Sequence, residues 1–436
     1  IFFTAKTAQR VILGNYEEHF DRLAHVDWVI EAVVENLAIK QQLMERLERT
    51  VSRNTVISTN TSGLPIGAIA QGRSKHFRQH FLGTHFFNPP RYLKLLELIP
   101  TPDTDPLILE RMKWFGRLYL GKGIVVAKDT PNFIANRIGM FVSMLGLKEF
   151  NDQGYTIEEI DTLTGTLIGR PKSATFRTAD LVGLDTLLYV AKNLYDAISD
   201  DSSRHLFNPP ELLQKLVATG SLGAKTGQGF YKKVEGEIRS LNPKTFAYES
   251  ANPLNLGNIE SIEKIPNLAE RLQTLYHQKG RAGDFFRQTT LATLAYSANH
   301  IPEIADSPAD IDEAMRWGFG WELGPFQIWD ALGFATVLAD MQQAGLSIPA
   351  WVTRMHQEGG TKFYLDDRTV YVPIERYSPI EISTDEIHLA TIKAQPNSTI
   401  WQNSEAALLD LGDGVALYEF RSKANTLSTK VIHGLV

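Results

Sequence analysis

A histidine and a glutamate twelve residues apart are the first candidates for chemistry. His85 lies in one apolar run and Glu97 in the next, beyond the turn "NPPRY". A glutamate inside an apolar strand costs several kcal/mol unless it finds a charged or hydrogen-bonding partner. Paired with Glu97 at about 2.6–3.2 Å, the imidazole has a fixed tautomer and can act as a general base. A purely structural histidine remains the alternative, since a lone histidine in an apolar strand is more often structural.

Polar side chains also follow neighbouring apolar runs. Glu35 comes after "VDWVIEAV", and Asn60, Thr61 and Ser62 come directly after "NTVIST". Ligands of an open α/β sheet bind at the carboxyl ends of its strands. We therefore expect a carboxylate, a hydroxyl group and the imidazole of His85 at one edge of one sheet.

Asn136 raises a separate question. It shares a helical stripe with Phe133, Met140 and Met144, so its amide faces apolar surroundings and requires a hydrogen-bonding partner. A buried structural amide that bonds to the backbone and an active-site amide both satisfy this requirement.

The candidate residues need a sheet to hold them. Strands are predicted for four apolar runs, Val26–Val33, Asn54–Thr59, His80–Phe87 and Leu93–Ile99. Between the first two, "ENLAIKQQLMERLERTVS" has helical spacing, with Asn36 as its cap. Short loops between strands and helices predict a parallel sheet with right-handed crossovers.

From Lys128 onward the pattern is helical, followed by a less periodic stretch, further helices and short β-segments. In "KDTPNFIANR", Thr130 is predicted as the helix cap and Pro131 as the first helical residue. The chain is thus α/β followed by all-α. Its predicted segments are an α/β part, a helical part, a linker, a second helical part, and a linker with short β-segments: residues 1–127, 128–233, 234–282, 283–356 and 357–436.

The two helical parts share an internal repeat. Three residues of the first part recur with the same spacing in the second, and "IDTLTG" matches "IDEAMR": Phe176, Asp180 and Gly183 correspond to Phe326, Asp330 and Gly333. Chance similarity is the alternative to duplication. A duplication predicts that residues 129–233 and 283–356 have the same helical fold and pack on each other.

Composition narrows the function classes. The 436 residues carry a net charge of −6, with both signs dispersed and no cysteine. Nucleic acid is not expected as a partner, because its binding usually requires a basic face. The lack of cysteine removes disulfides and thiolate metal sites and is compatible with a reducing, cytoplasmic location. No metal site and no membrane span is expected.

Four blocks in order resemble the 3-hydroxyacyl-CoA dehydrogenases: "VIEAVVENLAIK", "STNTSGL", "HFFNPP" with "LKLLELIP", and "KDTPNFIANR". The resemblance covers residues 1 to about 233. It implies part of a Rossmann-type NAD-binding sheet followed by that family's helical domain. It also implies an enzyme of fatty-acid β-oxidation that oxidises (S)-3-hydroxyacyl-CoA with NAD as cofactor.

The resemblance assigns catalytic roles residue by residue. His85 is implied as the base that takes the 3-hydroxyl proton, with Glu97 holding the imidazole. Ser62 and Asn136 are implied as hydrogen-bonding partners of the reacting oxygen.

It also assigns residues to the cofactor side of the cleft. Glu35 and Lys40 are implied near the nicotinamide ribose, together with Ser62. Asn88 is implied in setting the His85 loop and the thioester, and Lys225 near the cofactor end of the cleft.

One departure points to a subgroup. The family's first helical domain usually carries a "PMGPFEL"-like stretch, but the first copy reads "GRPKSATFRTADLVGLD" and only the second reads "GWELGPFQIWDALG". This resembles bifunctional bacterial enzymes that end in an enoyl-CoA hydratase module. "VALYEFRSKANTLS", Val415–Ser428, resembles the opening of such a crotonase-type module. A homo-oligomer or a fatty-acid oxidation complex is implied as the assembly.

No glycine-rich phosphate loop is present, because "ILGNYEEHF" contains a single glycine. The loop is expected before Ile1 and the hydratase site after Val436, so the chain is interpreted as truncated at both ends. We expect it to bind NAD poorly and to be inactive alone, which titration with NADH would test. Two alternatives remain: another β-hydroxyacid dehydrogenase with a lysine base, and a non-catalytic assembly module of a fatty-acid oxidation complex.

Overall fold

The computed structural model describes residues 4–251, 253–380, 386–387 and 389–435. It divides into two compact units. The first comprises residues 1–363 and 372–374, and the second comprises residues 364–371 and 375–436. The α/β part and both helical parts belong to the first unit.

A five-stranded sheet opens the first unit. Its strands lie side by side in chain order: β1 (Trp28–Glu31), β2 (Val56–Thr59), β3 (Phe81–Phe86), β4 (Leu95–Pro100) and β5 (Gly123–Val126). β1, β2 and β3 are mutually parallel, as are β4 and β5. The predicted parallel sheet contains one antiparallel pair, because β4 returns along β3 after the "NPPRY" turn. The turn between them is short, and a parallel connection needs a crossover of a dozen or more residues.

Helices accompany this sheet: α1 (Ala5–Ala8), a 3₁₀ turn (Phe20–His25), α2 (Leu37–Thr50), α3 (Ile66–Ile69), α4 (Lys75–Gln79) and α5 (Pro106–Leu118). The predicted cap of α2 is confirmed, because the Asn36 side chain accepts a hydrogen bond from Ile39 N. Leu82, Leu98 and Met112 are among the buried residues that pack the sheet against its helices.

The helical part follows, with five helices in its first copy: α6 (Ala135–Gln153), α7 (Ile157–Thr164), α8 (Phe176–Val182), α9 (Leu184–Ala197) and α10 (Glu211–Ala218). Short 3₁₀ turns lie among and after them: Thr166–Ile168, Arg204–Phe207 and Ala224–Thr226.

The stretch predicted as a linker, residues 234–282, differs from that prediction. A small antiparallel sheet and two helices fill most of it: β6 (Tyr231–Val234), β7 (Glu237–Leu241), β8 (Tyr248–Glu249), α11 (Ile259–Glu263) and α12 (Leu268–His277). The second copy then has five helices: α13 (Arg281–Asn299), α14 (Pro308–Phe319), α15 (Pro325–Leu332), α16 (Phe334–Gln343) and α17 (Ala350–Gln357).

α6 begins later than predicted, at Ala135 rather than beside Pro131. Asn132 and Phe133 have positive φ values of 63° and 53°, which interrupt a helical start. The first amides are instead satisfied by the sheet, because Ile134 N and Ala135 N donate to Glu97 Oε1 at 3.2 and 2.8 Å. A carboxylate of β4 therefore performs the capping role assigned to Thr130.

The two helical copies share their internal hydrogen bonds. Asp161 at α7 accepts from the backbone of Thr175 and Phe176 at the start of α8, at 3.0 and 2.7 Å. Asp312 at α14 accepts from the backbone of Phe326 and Gln327 in α15, at 2.8 and 3.0 Å. Burial raises the pKa of Asp161 to about 6.

A second carboxylate in each copy binds the segment that follows the helices. Asp180 accepts from Phe230 N at 2.8 Å, and Asp330 accepts from Phe363 N at 2.7 Å. Each of these phenylalanines packs edge-on against the phenylalanine that begins the repeat motif, with ring centroids 4.6 and 4.9 Å apart. The second copy therefore extends to Phe363, beyond its predicted end at residue 356.

The copies pack on each other through their long helices, as predicted. Phe141 of α6 stacks on Tyr296 of α13 with centroids 4.0 Å apart. Arg137 donates to Tyr296 Oη at 2.6 Å and to Asp201 at 2.8 Å. Burial alone would raise the pKa of Asp201. Its hydrogen bonds, one of them from His300, outweigh burial and hold the pKa well below its usual range. This buried network joins the start of α6 to the end of α13.

The second unit is small and mainly antiparallel. Its elements are β9 (Thr369–Val372), β10 (Arg376–Pro379), α18 (Leu389–Ala394), β11 (Thr399–Gln402), β12 (Ala406–Gly412), β13 (Val415–Phe420), a 3₁₀ turn (Lys423–Asn425) and α19 (Thr429–His433). β9 pairs with β10, and β11, β12 and β13 form a three-stranded sheet. The predicted β-segments "RTVYVPI" and "DGVALYEF" are thus confirmed. Across the described ranges of the whole chain, none of the helices combines the length and hydropathy that a bilayer span requires.

Candidate active site

His85 and Glu97 form a buried pair. They face each other across β3 and β4, and His85 Nδ1 lies 2.7 Å from Glu97 Oε2, which confirms the predicted contact. His85 is 3% exposed and Glu97 is fully buried. The His85 ring packs against Phe87 and Phe133, with centroids 4.5 and 5.5 Å away. The ring is therefore fixed on both sides, and its Nδ1 is committed to Glu97.

Glu97 joins His85 to the helical domain. Its Oε2 pairs with His85, while its Oε1 accepts the amide of Ile134, the residue before α6, and that of Ala135, its first residue. Burying a carboxylate is costly unless its oxygens are bonded, and here both are. The same residue thus orients the imidazole and caps the helix whose second residue is Asn136.

The carboxyl end of β2 is tied to Glu35. Thr61 Oγ1 donates to Glu35 Oε1 at 2.5 Å, and Ser62 N donates to the same oxygen at 3.1 Å. Asn60 Oδ1 accepts from Phe86 N at 2.9 Å, which ties the ends of β2 and β3 together. Glu35, Ser62 and the His85 strand therefore meet at one edge of the sheet, as the sequence predicts.

Lys40 lies deeper than its implied place beside the cofactor. Its side chain is 1% exposed, and Nζ contacts Glu31 at 2.8 and 3.0 Å and Glu35 at 3.4 Å. Thr59 Oγ1 also donates to Glu31 at 2.6 Å. The ammonium group is enclosed by the carboxylates of Glu31 and Glu35, so its side chain is not exposed at the sheet edge.

The remaining implied residues are spread around the site. Asn136 is half-buried, and Asn88, after β3, is exposed. Lys225 is also exposed and pairs with Asp185 at 2.5 Å, at the start of α9. One turn later in α9, Tyr189 Oη donates to the backbone oxygen of Glu35 at 3.4 Å. Lys225 thus lies on the helical part, against the helix whose Tyr189 contacts the backbone of Glu35.

Two polar residues were missed in the sequence. Glu31 lies in the apolar run of β1, and the argument used for Glu97 would have predicted a partner such as Lys40. Asn132 is 4% exposed with a positive φ, and its Nδ2 is buried without a hydrogen-bond partner. The signal for Asn132 was its position after Pro131 in a turn, since asparagine tolerates the left-handed region better than most residues.

These residues fit the nicotinamide end of NAD. The Glu35 side chain is 27% exposed and Ser62 is half-buried, so both are accessible at the sheet edge. Gly63 leaves a narrow space, because a side-chain carbon there would lie 2.7 Å from Asn132 Oδ1. The edge therefore offers a carboxylate and a hydroxyl group to a polar ring, with the buried Asn132 side chain packed against Gly63. The described ranges contain no cluster of histidine and carboxylate side chains suited to holding a metal ion.

Comparisons with known proteins agree with this geometry. The model of the "3-hydroxyacyl-CoA dehydrogenase, NAD binding domain" matches residues 2–130. That of the "3-hydroxyacyl-CoA dehydrogenase, C-terminal domain" matches residues 133–233 and 285–366, the two helical copies.

Relatives and solved structures point the same way. A probable 3-hydroxyacyl-CoA dehydrogenase of Bacillus subtilis is 43% identical over 98% of this chain and 54% of its own length. Another, of Deinococcus radiodurans, is 44% identical over 54% of this chain and 67% of its own length. The chain spans about half the length of the Bacillus relative. The crystal structure of 3-hydroxybutyryl-CoA dehydrogenase from Escherichia coli shares the fold, with a TM-score of 0.60, 21% identity and coverage of 82% of this chain and 87% of that one. The chain belongs to the 3-hydroxyacyl-CoA dehydrogenase family and carries that family's NAD-binding domain.

Proposed function

We propose that the protein oxidises (S)-3-hydroxyacyl-CoA to 3-oxoacyl-CoA with NAD, as a step of fatty-acid β-oxidation. The observation that carries this proposal is the buried His85–Glu97 pair, 2.7 Å apart at the sheet edge. Family membership supports the same reaction. Turnover of acetoacetyl-CoA and NADH by the full-length protein tests it: oxidation of NADH is expected, and its absence would contradict the proposal.

His85 acts as the base. With Glu97 ionised, the imidazole holds its proton on Nδ1 and donates it to Oε2, so Nε2 is free to accept. As the C3 alcohol is oxidised, its hydroxyl proton moves to Nε2, its C3–H hydrogen leaves with the bonding electron pair, and a C=O bond forms. NAD, when bound, supplies the acceptor for that hydride. The negative charge of Glu97 stabilises the imidazolium that results.

Other residues orient the reactants. Ser62 and Asn136 are proposed to hydrogen-bond the reacting oxygen, and Asn88 to set the His85 loop and the thioester. The support is their position, since Ser62 follows β2 and Asn136 is the second residue of the helix that Glu97 caps.

Cofactor contacts are proposed for a second group. Glu35 and Ser62 lie at the nicotinamide end, and Lys40 orients Glu35 from below. Lys225 stands on the helical side, where its pair with Asp185 holds it.

The two alternative hypotheses predict different results in the turnover assay. A dehydrogenase with a lysine base would keep turnover when His85 is replaced, and a non-catalytic assembly module would show no turnover at all. The buried His85–Glu97 pair favours the first proposal over both, because it gives an imidazole a fixed orientation and leaves its Nε2 able to accept a proton.

The finer organisation is also proposed. The α/β domain and the first helical copy are proposed to divide near residues 127 and 233, while the connecting segment carries β7, β8, α11 and α12 and the second copy extends to Phe363. Residues 357–436 are proposed to contain the start of an enoyl-CoA hydratase module, supported by the strand Val415–Phe420. A cytoplasmic location rests on the lack of cysteine. Assembly as a homo-oligomer or in a fatty-acid oxidation complex rests on the resemblance.

A further inference from the structure

The second helical copy reaches the candidate active site through the last residues of α14. A side-chain carbon at Gly318 would lie 2.7 Å from Leu95 of β4 and 3.4 Å from Phe87. A side-chain carbon at Gly123, the first residue of β5, would collide with the Trp317 ring. Glycines on both sides of this contact allow the end of α14 to sit directly on the sheet edge beside the His85 strand.

Phe319, the final residue of α14, lies between the elements that carry the base and the amide. Its ring packs against Phe87 with centroids 6.3 Å apart at 62°, and Phe87 packs against His85 at 4.5 Å. On the other side, the ring fills the space above Gly139, where any side-chain carbon would collide with it. Gly139 lies one helical turn after Asn136 on α6.

We propose that Phe319 is a specificity-determining residue that closes the acyl end of the substrate pocket and limits chain length. This rests on the proposed function. Phe319 is half-buried and apolar, so it offers surface to hydrocarbon and not to the reacting oxygen. The notch at Gly139 is where further methylene groups of a longer acyl chain would lie if the ring were smaller.

A purely structural wedge between the copies is the competing explanation. Removing a wedge lowers stability and weakens binding of every ligand to the same degree. Removing a wall changes the preference between short and long chains, since each extra buried methylene group adds apolar contact. The ratio of two affinities therefore separates the explanations, even in a destabilised variant.

The test uses the full-length protein and calorimetric titration with acetoacetyl-CoA and 3-oxodecanoyl-CoA. The proteins compared are the wild type, Phe319→Ala, Phe319→Leu and the control Phe285→Ala. Phe285 is buried in α13 against Tyr155, away from the site. In Phe319→Ala, the ratio of the Kd of the short ligand to that of the long ligand should rise about tenfold. A smaller rise is expected in Phe319→Leu, and the ratio in Phe285→Ala should equal that of the wild type.

A ratio in Phe319→Ala within twofold of the wild type would overturn the inference while leaving the dehydrogenase proposal intact. If Phe319→Ala does not fold, Phe319→Leu decides, and an unchanged ratio there overturns the inference as well. Failure of the wild type to bind either ligand and to oxidise NADH would instead overturn the proposed function, and this inference with it.

Discussion

The two helical copies keep the same scaffold and differ at the start of their long helices. Asp161 and Asp312 each accept backbone amides at the start of the following helix. The second residue of the long helix, however, is Asn136 in α6 and Ala282 in α13. α6 begins against Glu97 of the sheet, whereas α13 begins after Gly280, which has a φ of 92°.

The difference separates residues that both helical copies need for packing from residues that only the copy beside His85 needs. The carboxylates that hold helices together serve packing, and packing is needed in both copies. A side-chain amide such as that of Asn136 can hydrogen-bond a substrate only if its helix starts close to the proposed base. α6 does so, because it starts against Glu97, which also holds His85. The second copy instead places Phe319 against Phe87 beside the His85 strand. On the proposed function, the chemistry would lie with the sheet and the first copy, and the second copy would give apolar support.

The largest effect is expected from His85→Ala in the full-length protein. Loss of the base should lower kcat by about 10²–10⁴-fold, because general base catalysis contributes that much. Steady-state turnover of acetoacetyl-CoA with NADH measures it. His277→Ala is the control, since His277 is exposed on α12 of the helical part. A His85→Ala enzyme with the wild-type kcat would show that the chemistry does not depend on the sheet edge.

The next effect contrasts an amide of each long helix. Asn136→Ala should lower kcat by about 10²-fold, because it removes a donor to the reacting oxygen. Asn299→Ala removes an amide from α13, where it donates to Ala295 and Ser347, and should change kcat by less than about threefold. Equal losses in the two variants, in the same assay, would mean that the copies do not differ in chemistry.

The smallest effect concerns the shared scaffold. Asp161→Ala and Asp312→Ala should each lower the free energy of unfolding by about 2 kcal/mol, since each leaves backbone amides without their acceptor. Denaturant titration of both variants measures the loss. The exposed Asp200 provides the control, and Asp200→Ala should stay within about 0.5 kcal/mol of the wild type. A loss confined to one copy would contradict a common scaffold.

Part of the site could be predicted from the sequence, because a polar residue within a buried apolar run requires a hydrogen-bonding partner. Glu97 in an apolar run demands a partner, and His85 on the neighbouring strand supplies it. The correspondence between Asp180 and Asp330 could also be predicted from the sequence. Each carboxylate accepts a backbone amide, from Phe230 and Phe363 respectively, and the repeat motif keeps the same spacing around each one.

Features set by tertiary contact were not readable. "KDTPNF" has every signal of a helix start, but the left-handed turn at Asn132 and Phe133 delays it, and Glu97 completes the cap from another strand. Lys40 matched a cofactor-side position, yet Glu31 draws it into the interior. Phe319 and Gly139 are 180 positions apart in the chain, and the sequence around neither residue predicts that they meet.

A crystal structure of the full-length protein with NAD and acetoacetyl-CoA tests the central claim most directly. The 3-oxygen of the ligand should lie within about 3.2 Å of His85 Nε2, with Asn136 as a second hydrogen-bonding partner. A ligand whose 3-oxygen contacts neither His85 nor Asn136, or one seated among the helices of the second copy, would contradict the assignment of chemistry to the sheet and the first copy.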